Sequence, residues 1–248
     1  MPLPRARLLV APLPALGQKA HVSKEESAHA RARRLRAGDA VVLFDGGGGE
    51  ALAVVTALGA GGVEVLVEEL LPARDTASGV ALLVAGLRAQ RLAWLVEKAT
   101  ELSADRLTLV ATARTQSFRA SREVLERLER VAREAAKQSE SARWPSLSGP
   151  ISFAAALSED PAFQRLFLDA EGAPFPSALS ARPVVLLVGP AGGWTDAERG
   201  AARALGWTAA ALPAGKLRAE TAAVAALVLA RAALEDGKRK TEDGRRKT

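Results

Sequence analysis

Cysteine is absent from the 248 residues, so disulfides, thiolate zinc sites and a cysteine nucleophile are excluded. Histidine is scarce. His21 and His29 are the whole set, eight residues apart in a polar N-terminal stretch, which argues against a histidine-built metal centre. No metal site is expected. Long hydrophobic runs are also missing: the longest, Ala222 to Leu234, is shorter than a membrane span and carries Arg231. The opening MPLPRARLLVAPLPALG is interrupted by proline, and its apolar run is too short for a signal peptide. A soluble, cytoplasmic protein with no membrane contact is the expectation.

What remains is apolar and basic. Apolar residues make up 48% of the chain, which has the length for one large domain or two smaller ones with ample core. The net charge is +6 and the pI about 10.1. From Arg5 to Arg36 there are eight Lys or Arg against two Glu. Such local basic charge suits a polyanion such as RNA. A general compositional bias toward Arg and Ala would look the same.

The first seventy residues read as closely spaced strands: RARLLVA, then Asp39 to Gly46, Glu50 to Leu58 and Gly62 to Leu70. Gly46 to Gly49 supply a hairpin turn, and the pattern suggests a small β-barrel. Leu71 to Gly79 reads as a linker. Beyond it, strands alternate with helices, the signature of a parallel α/β sheet. GVALLVAGL, Arg106 to Thr112, FQRLFLDA, PVVLLVG and TAAALP are the strands. The helix in RLAWLVEKATEL turns Leu92, Leu95, Val96, Ala99 and Leu102 to one face. A long amphipathic helix over Ser121 to Ser139 turns Leu125, Leu128, Ala132 and Ala135 inward, and by its place on that stripe Gln138 is expected to bond to something buried. The charged tail after Asp236 lacks apolar anchors and reads as disordered.

Val184 to Val188 is an aliphatic strand of the kind buried on both faces, and it feeds Gly-Pro-Ala-Gly-Gly. Thr195 to Glu198 then spells a capping box, so a helix begins there. Ligands of open parallel sheets bind beyond strand carboxyl ends of this sort. Neither the dinucleotide fingerprint nor the Walker spelling is present. Asp196 and Glu198 at the helix start disfavour a pyrophosphate, so a ligand without phosphate is favoured. Alone, the turn is equally an ordinary connection. Leu212 to Ala222, LPAGKLRAETA, repeats the strand, small-residue turn and helix entry. Two such loops can form one pocket whose backbone reads an adenine edge between the apolar walls Leu212 and Leu217. Arg218 and Glu220 precede a nearly all-apolar helix, either as ordinary surface and helix-start charges or as paired or functional groups.

These residues carry a resemblance. GPAGGWTDAE resembles the G-P-E-G-G-[FW]-[ST]-x-x-E block of the SPOUT methyltransferases, and LRAETA their L-R-T-E-T-A block. EKATEL and LRAGDAVVLFDGGGGE match two further motifs of the ribosomal RNA small subunit methyltransferase E family, in the same order, over residues 5 to 235. The resemblance implies S-adenosylmethionine-dependent methylation of N3 of one uridine in 16S ribosomal RNA of the small subunit. It implies an α/β, trefoil-knotted parallel-sheet domain of the SPOUT type with an N-terminal PUA-like β-barrel, and a homodimer. The corresponding boundaries are residues 1–72 for the barrel, 73–236 for the methyltransferase domain and 237–248 for the tail.

By position, the resemblance assigns Leu168, Gly189, Pro190, Gly193, Leu212, Leu217, Arg218 and Ala219 to the cofactor. Arg218 and Arg114 are the candidates for stabilising negative charge on the uracil carbonyls, and Arg31, Arg34 and Arg88 for contacting RNA. The sequence departs from the family pattern at Ala191, Ser103, Leu109, Ala113 and Ser141. Ala191, Ala113 and Ser141 motivate the rival expectation, a catalytically impaired paralogue acting as an RNA-binding or ribosome-assembly module.

Overall fold

A computed structural model describes residues 3–72, 77–115, 121–159, 161–176, 179–180 and 182–246. The chain divides into two compact units, residues 1–76 with 133–144, and residues 77–132 with 145–248. The first unit therefore takes a segment from within the stretch that the sequence assigns wholly to the second.

In the first unit the elements are β1 (Arg7–Leu9), β2 (Lys19–His21), α1 (Lys24–Ala32), β3 (Ala40–Phe44), β4 (Glu50–Gly59) and β5 (Gly62–Leu71). The strands form one sheet in the order β1-β3-β4-β5-β2, with β1 parallel to β3 and the other pairs antiparallel. Alternation along β4 and β5 sends Ala51, Ala53, Val55, Val63, Val65 and Val67 into one core with Leu8, Val41 and Leu43. Register shifts at Leu52/Ala53 and Val55/Ala57 bend the long hairpin. Ser23 caps α1 by accepting from the Glu26 amide, and Ala30 packs the helix onto the sheet. Both β2 and α1 escape the sequence reading.

The inserted segment is tied in by charge and by aromatic packing. Lys137 and Glu26 form an ion pair with side chains only 6% and 4% exposed. Burial works against the Lys137 ammonium, but the Glu134 and Glu26 carboxylates outweigh it and raise its pKa. Arg7 bonds both Glu50 (2.6 Å) and the Ser141 carbonyl (3.1 Å). Gln138 is exposed, against the expectation of a buried bond, because the inward stripe of its helix ends at Ala135 and Ala136.

The second unit runs β6 (Val80–Ala85), α2 (Ala89–Glu101), β7 (Arg106–Ala111), α3 (Arg122–Gln138, whose last residues belong to the first unit), β8 (Ser146–Ser152), α4 (Phe153–Ser158), β9 (Gln164–Pro174), β10 (Val184–Val188), α5 (Asp196–Ala204), β11 (Thr208–Ala211) and α6 (Ala219–Arg246). Its six strands are all parallel, in the order β11-β9-β10-β6-β7-β8. Every residue of β6 and β10 is buried, as expected for strands covered on both faces. Val185 and Leu187 face a cluster with Trp194, Trp207, Ala202 and Leu157, and α6 packs on β6 and β10. Helix α6 continues to Arg246, where composition alone reads a disordered tail. The apolar face that anchors its first half, Ala223 to Leu234, is buried and nucleates the turns that follow. Among the described residues no helix is long and apolar enough to cross a membrane.

Candidate functional site

Beyond the carboxyl ends of β10 and β11, beside the middle of β9, lies a cleft of about 290 Å³. This is where an open parallel sheet presents ligands. Three stretches build it: Leu168 to Ala170, the loop Gly189 to Trp194, and the loop Leu212 to Leu217 that leads into α6. Seven of the eight residues assigned to a cofactor from sequence line it, namely Leu168, Gly189, Pro190, Gly193, Leu212, Leu217 and Ala219. The eighth, Arg218, is exposed and does not line the cleft. Its carbonyl accepts the Ala222 amide at 2.8 Å and starts α6.

The first loop is held at several points. Trp194 is 3% exposed and its indole N–H donates to the Leu168 carbonyl at 2.8 Å, joining the loop after β10 to the middle of β9. Gly189 lies against that indole: a Cβ there would sit 2.8 Å from Trp194 Cε2. The Gly193 amide donates to the Pro190 carbonyl at 2.9 Å, and Gly193 itself has φ +71°, a left-handed conformation that glycine adopts without strain. Arg114 reaches across from the end of β7, donating through Nη1 to the carbonyls of Gly192 (2.7 Å) and Trp194 (3.2 Å).

Glu198 completes the frame. Its carboxylate accepts the Thr195 amide (2.8 Å), the Thr195 hydroxyl (2.9 Å) and the Ala113 amide (2.9 Å), closing the capping box of α5. Burial pushes this carboxyl up, but the Thr195 and Ala113 amides outweigh it and hold its pKa below the ordinary value. Glu198 is thus turned into the protein. Asp196, the other acidic residue of the turn, has a fully solvated side chain.

Three charged residues that the sequence does not single out, Asp169, Arg199 and Lys216, also line the cleft. Arg199 Nε donates to Asp169 at 2.6 Å, and its Nη1 donates to the Trp194 carbonyl at 3.1 Å. Burial raises the Asp169 pKa, while Arg199 and the Glu171 amide lower it further than burial raises it. Lys216 lines the cleft from the second loop. Glu220 is buried beside Arg91 (3.4 Å), which places it in a pair rather than in the cleft.

Of the RNA candidates, Arg31 is exposed and donates to the Gly59 carbonyl at 2.9 Å. Arg34 is exposed at the end of α1 with φ +55°, and Arg88 is exposed at the N-cap of α2. Arg31 and Arg34 belong to the first unit, Arg88 to the second. Ser141, where the family pattern has arginine, forms a local turn: its hydroxyl donates to the Arg143 carbonyl at 2.7 Å.

The fold and cleft define a parallel α/β protein with a side-chain-poor pocket for a small ligand, joined to a small basic β unit. Comparison with known proteins narrows this class. Residues 75–231 match the model of the RNA methyltransferase domain and residues 22–68 that of the RNA methyltransferase PUA domain. A ribosomal RNA small subunit methyltransferase E from Synechocystis is 32% identical over 213 residues, 83% of this chain and 70% of that protein. One from Mycobacterium tuberculosis is 32% identical over 234 residues, 87% of each. Among solved structures, one from Neisseria gonorrhoeae with S-adenosyl methionine bound superposes with TM-score 0.84 at 24% identity, covering 90% of this chain and 95% of that one. The chain belongs to the ribosomal RNA small subunit methyltransferase E family.

Proposed function

We propose that this protein transfers a methyl group from S-adenosylmethionine to N3 of one uridine in 16S ribosomal RNA of the small subunit. One observation carries the reading: both small-residue loops named from the sequence converge on a single cleft at the carboxyl ends of β10 and β11, the parallel strands on either side of β9. The lining fits the cofactor. Leu168, Leu212 and Leu217 offer apolar walls, and the glycines and alanines of both loops leave no bulky side chain between the backbone and a ligand. Asp169, Arg199 and Lys216 supply charge for the cofactor's amino-acid end.

When bound, the cofactor supplies an electrophilic methyl on a sulfonium. The chain's part is to hold that donor and the base in line, because an imide nitrogen is a poor nucleophile while protonated. Arg114 acts as a positioning residue, since its Nη1 is committed to the loop carbonyls. Arg218, exposed between cleft residues Leu217 and Ala219, stabilises negative charge on a uracil carbonyl in this reading.

The finer architecture belongs to the same proposal. The position of β10 between β6 and β9 supports a trefoil knot in residues 73–236, an exception to the rule against threading. The bent β4–β5 hairpin and the match over residues 22–68 support a PUA-like barrel in residues 1–72. Arg31, Arg34 and Arg88 contact RNA phosphates. Trp94 on α2 and Val228 on α6, 41% and 46% exposed on helices that pack together, support a homodimer interface. The enzyme works in the cytoplasm, on its ribosomal substrate.

Calorimetric titration of the full chain with S-adenosylmethionine tests the reading. One cofactor per chain is the expected result. No binding would favour the impaired-paralogue alternative.

A further inference from the structure

A second cavity, about 510 Å³ in volume, is lined only by residues of the first unit. That size falls in the range of about 300–1,000 Å³ usual for small-molecule sites. Among its lining residues Glu26 and Lys137 are paired and almost wholly buried. The second Glu26 oxygen accepts the Leu9 amide at 3.2 Å, so the charges of this pair are fixed.

One wall is flat. Trp144 stands edge-on to Phe44, with ring centroids 6.3 Å apart and planes at 89°, and the Arg133 guanidinium lies 5.8 Å from the Trp144 centroid. Gly46 lies against the tip of the indole, where a Cβ would meet Cη2 at 2.1 Å. Aromatic rings and guanidinium planes are the surfaces on which proteins stack unpaired bases. The rim is acidic. Asp45 is oriented by the amides of Gly47 (2.7 Å) and Gly49 (2.9 Å), and Glu25 has no partner among the described residues.

Carboxylates in the lining select among bases. Uracil offers one imide N–H flanked by two carbonyls, which carboxylates repel. Adenine and cytosine set an amino group beside a ring acceptor. Guanine alone places two donors, N1–H and N2–H, side by side, a bidentate match for a carboxylate.

We propose that this cavity receives one unstacked guanine of the RNA substrate, stacked on the Trp144 and Arg133 wall with its Watson–Crick edge held by Glu25 and Asp45. The proposal rests on the reading that the substrate is RNA. It gives the first unit a base-reading site separate from the methyl-transfer cleft.

Fluorescence anisotropy with the full chain tests it, using labelled uridine hexamers with one central guanosine, inosine, adenosine or cytidine. The guanosine oligomer is expected to bind about tenfold tighter than the others. Inosine, which lacks the N2 amino group, should fall with the rest. Glu25→Gln and Asp45→Asn should each reduce the guanosine preference, with binding of the all-uridine hexamer unchanged. Trp144→Leu should weaken every oligomer, with its fold checked by thermal melting. Equal binding of the four oligomers, or a guanosine preference untouched by both acid substitutions, overturns the proposal. Guanosine monophosphate binding as tightly as the oligomer would also overturn it, since the ligand would then be a free nucleotide. Titration of the same preparations with S-adenosylmethionine separates the failures: intact cofactor binding without base preference sinks this inference alone.

Discussion

Arg114 donates to the Gly192 carbonyl at 2.7 Å, which fastens the end of β7 to the first loop of the cleft. The same nitrogen reaches the Trp194 carbonyl, and the neighbouring Ala113 amide meets Glu198. Replacement by alanine at Arg114 frees the loop without removing a cleft-lining side chain. Arg114→Ala should weaken cofactor binding by on the order of tenfold, the worth of charge-assisted bonds lost from a partly exposed site. Arg114→Lys should recover only part, because an ammonium lacks the planar fork of a guanidinium. Calorimetry reads both. Unchanged affinity in Arg114→Ala would remove the positioning role.

Gly189→Ala places a methyl 2.8 Å from the buried Trp194 ring. The indole is held by its bond to Leu168 and has little room to move. Overpacking of this kind costs about 1–3 kcal/mol. Thermal unfolding should show that loss together with weaker cofactor binding.

Glu198 links stability to pH. Its folded pKa lies below the ordinary glutamate value, so its contribution is fully present above the unfolded pKa and is lost as pH falls through the folded one. Glu198→Gln should therefore destabilise the protein at pH 7 by about 0.5–2 kcal/mol, the range for a lost helix cap. The gap between variant and parent should narrow below pH 4.5, as read by denaturant unfolding across pH.

Ser103 ends α2 with φ +56°, the left-handed conformation that its family pattern fills with glycine. A non-glycine residue there is strained by about 1–2 kcal/mol, and glycine's extra unfolded-state entropy returns about half of that. Ser103→Gly should raise stability by about 0.5–1 kcal/mol, seen as a higher Tm with no change in cofactor affinity.

Arg34 also holds a left-handed backbone, at φ +55°, so its charge is best removed by asparagine, which tolerates that conformation. Arg34→Asn should lower the slope of log affinity against log salt for RNA by about 0.7–0.9. An unchanged slope would remove Arg34 from the phosphate contacts.

The cleft was legible in the sequence because its signals are local. Glycine loops, a capping box and an aliphatic strand declare themselves within a dozen residues, and they place Gly189, Pro190, Gly193, Leu212 and Leu217 together. Asp169 and Arg199 were not legible, because they meet only when β9 and α5 are set side by side, thirty residues apart in sequence. The transfer of residues 133–144 to the first unit was hidden for a related reason: α3 is one unbroken amphipathic pattern, and periodicity says nothing about which core each turn enters. Strand β8 alternates in burial, but its Gly149-Pro150 pair reads as a break. At three residues, β2 is too short for any pattern.

The account is tested most directly by incubating the full chain with isotopically labelled S-adenosylmethionine and small ribosomal subunits that lack the modification. Fragments of the 16S RNA are then mapped by mass spectrometry. The prediction is one labelled methyl on N3 of a single uridine, lost when the cofactor cleft is disrupted. Cofactor bound to the protein with no label on the RNA, or label on a ribose oxygen, would contradict it.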